Sequence, residues 1–404
     1  MFPEERRNEI YAYIDAHERA SVSWLAREYG VTKETIRSDL NILAQQGLIT
    51  RCHGGAVVLR RKLRSMLISE SGGNFEVLLK KLNKQMNRRK PAGKGRGKMR
   101  GKVCILGSFN VDIVARVERF PKGGESLLAR GSSLGPGGKG ANQATAASLA
   151  GARVHFVSKV GTDQFSQFAF DHLSASDIHS FRLYQTEQEP TGNAIIYVSE
   201  KDGENMIAIY SGANKTLTDA EIAEMAPELA SADVLLLQLE NNPDATLSAI
   251  RLAESLGVRV IMNPAPYAPH VLDWLSHIDV ITPNETEASL LSGVEVTDLD
   301  TAREAAQIIV GKGAKRVIIT MGSRGALLYD NHQFQHIAPF PAFSVDTTGA
   351  GDAFNGALAS AVADGQTLAQ AATFASAFAS LAVEREGASN MPTRQQVMAR
   401  MGQR

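Results

Sequence analysis

Cysteine is scarce in this 404-residue chain. Cys52 and Cys104 stand far apart and in no metal-ligand spacing, which excludes a disulfide framework and a cysteine-based zinc site. Long apolar runs are missing too: none approaches the roughly 20 residues that a membrane-spanning helix requires. The opening MFPEERRNEI carries acids where a secretion signal would carry an apolar segment, so a cytoplasmic protein with no membrane partner is expected. There is no internal repeat. Net charge is absent as well, with 43 Lys+Arg against 43 Asp+Glu, but the balance hides an asymmetry. Residues 1–102 hold 22 basic and 10 acidic side chains, a net of +12; the remainder holds 21 and 33, a net of −12. A basic front joined to an acidic body implies that the front meets a polyanion while the body does something else.

What is present divides into three parts. At this length, with 44% hydrophobic residues, two or three soluble domains are expected. Residues 1–58 read as three short helices and a hairpin. Residues 59–102 read as a basic, flexible linker: from Arg60 to Lys102 there are 15 Lys+Arg and only Glu70 and Glu76 as acids, and NFEVLLKKLNKQM within it fits a short amphipathic helix. From 103 to 404 apolar strand candidates (VCILG, VHFVSKVG, VLLLQLE, RVIMNPAP, VITPNE, RVIITMG) alternate with helical segments, which predicts an α/β fold with a largely parallel sheet. GNAIIYVSE and NMIAIYSGA, joined by KDGE, predict an antiparallel hairpin.

In the front part, Gly30 ends a helix carrying Trp24, Leu25 and Tyr29, and Thr32 is placed to cap the next. Ile36, Leu40 and Leu43 then face inward at helical spacing, which leaves Lys33, Thr35, Arg37 and Ser38 near the exposed N-terminal half. A recognition helix presents such residues to the major groove. Helix spacing alone also fits a small helical adaptor with a solvated charged face. The opening ERRNEI, the stretch VTKETIRSDLNILAQQGLITRCHGGA and the distance between them resemble the winged helix-turn-helix of the DeoR family of sugar-metabolism regulators. That resemblance implies binding to double-stranded operator DNA, with Thr35, Arg37 and Ser38 on bases or phosphates and Lys33 and Arg51 on the backbone.

In the body, DTTGAGD runs into the apolar helix AFNGALASAVA. A Gly-Ala-Gly helix entry points unpaired backbone N–H groups forward, with the helix dipole behind them, and so can hold a phosphoryl group as charge gathers on its oxygens. Asp352 beside that cradle is placed to accept the proton of an attacking hydroxyl. Taken alone, the same string also fits an ordinary helix N-terminus with an acidic first turn. LGPGGKGANQATAAS sets Gly137, Gly138, Lys139 and Gly140 at another helix start, with Asn142 able to donate to and accept from hydroxyls. It lacks P-loop spacing. GSFNVD places Asn110 and Asp112 on one side if extended, although a polar loop fits it equally.

These stretches, with GENMIAIYSGAN, LLQLE, NPAP, ITPNETEA and TMGSRG in order from Val103 to about Pro392, resemble the ribokinases of the PfkB carbohydrate kinase family. The resemblance implies ATP-dependent phosphorylation of D-ribose or a related pentose such as deoxyribose. Asn110, Asp112, Gly138, Lys139, Asn142 and Glu240 would bind sugar, Asp352 would be the base, and Gly349, Ala350 and Gly351 the anion hole. Asn284 and Glu287 would position Mg2+ through water and phosphate, and Thr320, Gly322, Ser323 and Gly325 would lie along ATP with Asn284 and Gly351. Asp346, Thr348 and the Gly387 carbonyl would hold an activating monovalent cation, normally K+; Met391 stands where a hydroxyl-bearing ligand is common, which departs from the pattern. The hairpin would form a lid and pair subunits in a homodimer. A kinase fold used chiefly as a sugar sensor for the DNA-binding domain remains the alternative.

Overall fold

A computed structural model describes residues 2–17, 19–46, 48–52, 54–58, 101–201 and 204–402. The expected linker up to residue 100, with the amphipathic helix expected inside it, lies outside those residues.

In the front part, α1 (Pro3–His17), α2 (Val22–Glu28) and α3 (Lys33–Gln45) precede strands β2 (Ile49–Cys52) and β3 (Gly55–Val58), and β1 (Arg19–Ser21) pairs with β3 to widen the wing. Gly30 takes a left-handed φ of 62°, which lets the chain reverse between α2 and α3. The Thr32 side chain then accepts the Thr35 N–H at 3.1 Å and caps α3. Ile36, Leu40 and Leu43 are buried as their spacing requires. Asp39 on the same helix is buried as well, and Arg6 of α1 compensates its charge at 2.6 Å.

In the body, strands β8 (Ser180–Gln185), β7 (Arg153–Val160), β4 (Lys102–Leu106), β11 (Val234–Leu237), β12 (Arg259–Met262), β13 (Val280–Ile281) and β14 (Val317–Thr320) lie side by side and parallel. β15 (Ala326–Asp330) and β16 (Gln333–Ile337) close that edge in antiparallel fashion. Helices cover both faces, so the strands are apolar on both sides. Val103 and Ile105 point into one buried cluster and Cys104 and Leu106 into the other, as a period of two demands.

A second, four-stranded sheet in the order β10-β9-β5-β6 forms the lid. The expected hairpin is present as β9 (Asn193–Ser199) and β10 (Asn205–Tyr210), antiparallel. β5 (Asn110–Val117) pairs with β9 and with β6 (Gly131–Gly137). The polar GSFNVD segment is therefore the start of a lid strand, and Asn110 and Asp112 share one face of it.

The two parts are joined in space. Wing strand β2 pairs antiparallel with β8, Arg51 opposite Phe181 and Cys52 opposite Ser180. The wing thus extends the central sheet, and the core of the front part (Ile14, Leu25, Leu40) runs into the body's cluster around Phe170 and Phe181.

Candidate active site and DNA-facing helix

Side chains converge where the parallel strands end, the edge at which open α/β sheets bind ligands. The end of β4 delivers Ser108, the start of β5 delivers Asn110, and the ends of β11, β12 and β13 deliver Gln238 and Glu240, Asn263, and Thr282 and Asn284. The helix Lys139–Leu149 starts against the end of β4. A Cβ on Gly140 would sit 2.5 Å from the Gly107 Cα, so only glycine permits that approach. Gly138, with φ 89°, supplies the turn into the helix.

Asp352 lies in the first turn of the helix Ala350–Ala363 and is 5% exposed. Two amides hold its carboxylate: Asn142 Nδ2 donates to Oδ2 and Gln143 Nε2 to Oδ1, each at 3.0 Å. Burial raises the Asp352 pKa above the usual carboxylate range, and Lys139 with these two amides only partly offsets that. Lys139 itself is pulled down by burial but held above its ordinary value by the Asp352, Glu240 and Glu287 carboxylates. Glu240 accepts the Lys139 backbone N–H at 3.0 Å and the Ser108 hydroxyl. Asp112 is pushed up to about 6, by burial first and then by the Glu240 charge. A Cβ on Gly137 would overlap the Asp112 carboxylate and turn that side chain out of its present position.

Gln143 is the residue that sequence reasoning passed over. It is fully buried, donates to both Asp352 and Asn263 (3.1 Å), and accepts from Gln238 Nε2 at 2.7 Å. Asn214 was missed too. Its amide donates to Asn110 Oδ1 at 2.8 Å while its oxygen accepts the Phe109 N–H at 3.0 Å, so it fixes the turn that presents Asn110. Asn142 Oδ1 is buried without a protein hydrogen-bond partner. A ligand hydroxyl would satisfy that acceptor, and a polyhydroxyl ligand fits the donors and acceptors around it.

Gly349 caps the helix Ala350–Ala363 with φ 77°, and Gly349, Ala350 and Gly351 form its entry beside Asp352. Asn284 and Glu287 form a reciprocal cap: the Glu287 N–H donates to Asn284 Oδ1 at 2.8 Å, and Glu287 Oε2 accepts the Asn284 N–H at 2.9 Å. Burial raises the Glu287 pKa, and Asp352 adds to this. A bridge pairs Asn284 with Thr320, which brings the turn Gly322, Ser323 and Gly325 to the same edge. Asp346 accepts the Thr348 N–H at 2.8 Å and the Gly387 N–H at 3.0 Å. Burial opposes its ionisation, but those bonds win and its pKa is lowered. The Gly387 carbonyl, expected to face a cation, accepts the Asn390 N–H at 3.3 Å.

On α3, Lys33, Arg37 and Ser38 are exposed and Thr35 is half-buried. Arg37 pairs with Glu34 at 3.0 Å on the surface. Arg51 corrects its sequence assignment to the DNA backbone: it is 1% exposed, and its guanidinium donates to the Arg37 carbonyl at 3.3 Å. Packed between wing and α3, it supports that helix from behind.

Residues 100–394 match the model of the pfkB family carbohydrate kinases. The chain belongs to that family. Residues 6–62 match the DeoR-like helix-turn-helix domain. The ribokinase of Haemophilus influenzae is 39% identical over 295 residues, which cover 73% of this chain and 96% of that protein. The deoxyribokinase of Salmonella typhi is 36% identical over 258 residues, 64% of this chain and 84% of its own. The solved structure of Arabidopsis thaliana ribokinase complexed with ribose and ATP superposes with a TM-score of 0.69 at 32% identity, covering 75% of this chain and 99% of that one. This PfkB-family carbohydrate kinase has no helix among its described residues long and apolar enough to cross a membrane. Nor do the described residues hold a cluster of three His, Cys, Asp or Glu able to cage a metal. The Glu287 carboxylate beside Asn284 fits a divalent cation that keeps its waters and binds chiefly through substrate phosphates.

Proposed function

We infer that the body of this chain transfers the γ-phosphoryl group of ATP to the 5-hydroxyl of D-ribose, and that the front part binds operator DNA. The observation that carries the first reading is Asp352, buried and held by two amides, at the mouth of the Gly349–Gly351 helix entry. The sugar hydroxyl loses its proton to Asp352 as its oxygen attacks the γ-phosphorus, and the bond from that phosphorus to the bridging oxygen breaks to release ADP. The backbone N–H groups of the entry then stabilise charge on the transferring oxygens. Asn110, Asp112, Asn142 and Glu240 orient the sugar through its other hydroxyls, and Lys139 offsets their charge. Asn284 and Glu287 would hold Mg2+, which would neutralise charge on the ATP phosphates, and Asp346 and Thr348 would hold K+. The exposed lid strands, with Ile195, Met206 and Ile207 about half accessible, support a homodimer formed through the lid. Incubation with ATP, Mg2+, K+ and D-ribose, read by phosphorus NMR, tests the reading: a 5-phosphate ester is expected, and a 1-phosphate would contradict it. The deoxyribokinase relative keeps 2-deoxy-D-ribose as the competing substrate. A site that hydrogen-bonds the 2-hydroxyl discriminates against that sugar.

The Asp112 carboxyl yields a pH prediction. Its pKa is raised to about 6, so it is charged above that pH and neutral below it. Sugar hydroxyls are better received by the charged form, and the sugar KM should rise by about tenfold per unit as pH falls below 6. Asp112→Asn should raise KM at pH 8 and flatten that acidic limb; an unchanged limb in the variant would assign it elsewhere.

For the DNA reading, Lys33→Ala should weaken binding to all duplexes alike and reduce the slope of log K against log salt by about 0.9. Arg37→Ala should instead lose roughly 1–3 kcal/mol selectively on the preferred sequence. Salt titrations of both variants by fluorescence anisotropy separate these outcomes, and a Lys33 variant with the parental slope would remove that contact.

A further inference from the structure

The helix Gln164–Ala175 touches the sugar site at one end and the recognition helix at the other. At its start, the Asp163 cap accepts the Ser166 N–H at 3.2 Å and also grips Thr191, accepting its N–H at 3.0 Å and its hydroxyl at 2.6 Å. Thr191 is fully buried and is the last residue but one before lid strand β9. Gly192, between them, lies so close to the Asn110 and Asn214 side chains that a Cβ there would overlap both. The lid's root is therefore clamped to this helix beside a sugar-binding side chain. Farther along, His172 packs near the Phe109 ring at 6.3 Å, the residue preceding Asn110.

At the other end, Asp171 Oδ1 receives Asn41 Nδ2 and the Ser174 hydroxyl donates to Asn41 Oδ1, both at 3.4 Å. Asn41 is 2% exposed and lies one turn along α3 from Arg37, on the same stripe of the helix. Arg182 of β8 adds a bond at 2.9 Å to the Ala44 carbonyl near the end of α3. From Asp163 to Asp171 is eight residues, about 12 Å of helix at its standard rise. A helix held by side chains at both ends gives a displacement of the lid root a direct path to α3.

We propose that this helix couples sugar binding to DNA binding within a single chain, so that a pentose in the kinase site changes the affinity of α3 for duplex DNA. The proposal rests on the function inferred above and adds the route of regulation. The effector is the sugar, and the coupling needs no rearrangement between subunits. By linkage, duplex DNA must change sugar affinity by the same factor.

The test uses the full chain and a labelled duplex that the full chain has enriched from a random-sequence pool. Its Kd is measured by anisotropy without sugar and with D-ribose or 2-deoxy-D-ribose, in wild type and in Asp171→Ala/Ser174→Ala. Wild type should show a sugar-dependent shift of about 5- to 150-fold, the usual span of allosteric coupling. The double variant should lose that shift while keeping turnover and sugar-free DNA affinity, and Asn41→Ala should reproduce the loss from the other side of the contact. A wild-type chain that phosphorylates a pentose and binds the duplex without any shift overturns the coupling and leaves the function standing. An undiminished shift in all variants overturns the route. A chain that lacks either activity removes the functional reading, and this proposal with it.

Discussion

Asp352→Asn is expected to lower kcat by roughly 10²- to 10⁴-fold, the usual worth of a general base. The structure says how the rest of the site responds. The carboxylate accepts from two amide groups, so an amide in its place sets one donor against another. Gln143 cannot turn over to relieve this, because its oxygen already accepts from Gln238 at 2.7 Å and its nitrogen also serves Asn263. Asn142 can turn, since its Oδ1 has no protein partner. Its flip presents an NH2 group to the sugar where an acceptor stood. Sugar binding should therefore weaken only severalfold while turnover collapses, a separation readable from steady-state kinetics with calorimetric titration of the sugar. Wild-type kcat in this variant would refute the role given to Asp352.

Gly349→Ala is expected to lower turnover by about 10²-fold, the cost of a displacement near 1 Å at a reacting centre. Two effects force that displacement. Gly349 has φ 77°, a conformation that costs a side-chain-bearing residue roughly 1–3 kcal/mol. A Cβ there would also lie 2.8 Å from the Ala388 Cα, a backbone neighbour that cannot swing aside. The helix entry must shift, and the N–H groups aimed at phosphate shift with it. Gly351 offers a control for folding, because a Cβ on it meets nothing within 4 Å. Gly351→Ala should keep the parental melting temperature, while Gly349→Ala should melt lower and turn over slowly. Parental turnover in Gly349→Ala would mean that the entry is not the phosphate cradle.

Local patterns were legible in the sequence where local physics decides the structure. The strand at Val103 announced itself by its apolar run, α3 by the Thr32 cap and by Ile36, Leu40 and Leu43, and the lid hairpin by its turn. The site's glycines were legible because left-handed turns and close backbone approaches leave few other choices. What stayed hidden depends on partners distant in sequence. Gln143 was written within GGKGANQA, but its partners Gln238, Asn263 and Asp352 are 95, 120 and 209 residues away. The DeoR resemblance alone places Arg51 on the DNA backbone, and only the packing of the wing on α3 reveals its burial. The pairing of β2 with β8 left no trace in composition, because an edge strand accepts a neighbour through its backbone.

The most direct test of the account is ADP release by the full chain with ATP, Mg2+ and K+ across D-ribose, 2-deoxy-D-ribose, other pentoses, fructose and nucleosides, with Asp352→Ala as the blank. The account predicts saturable turnover that is highest in kcat/KM for D-ribose and vanishes in the blank. No turnover on any sugar would contradict it, and would leave the kinase fold as a ligand-binding partner of the DNA-binding domain.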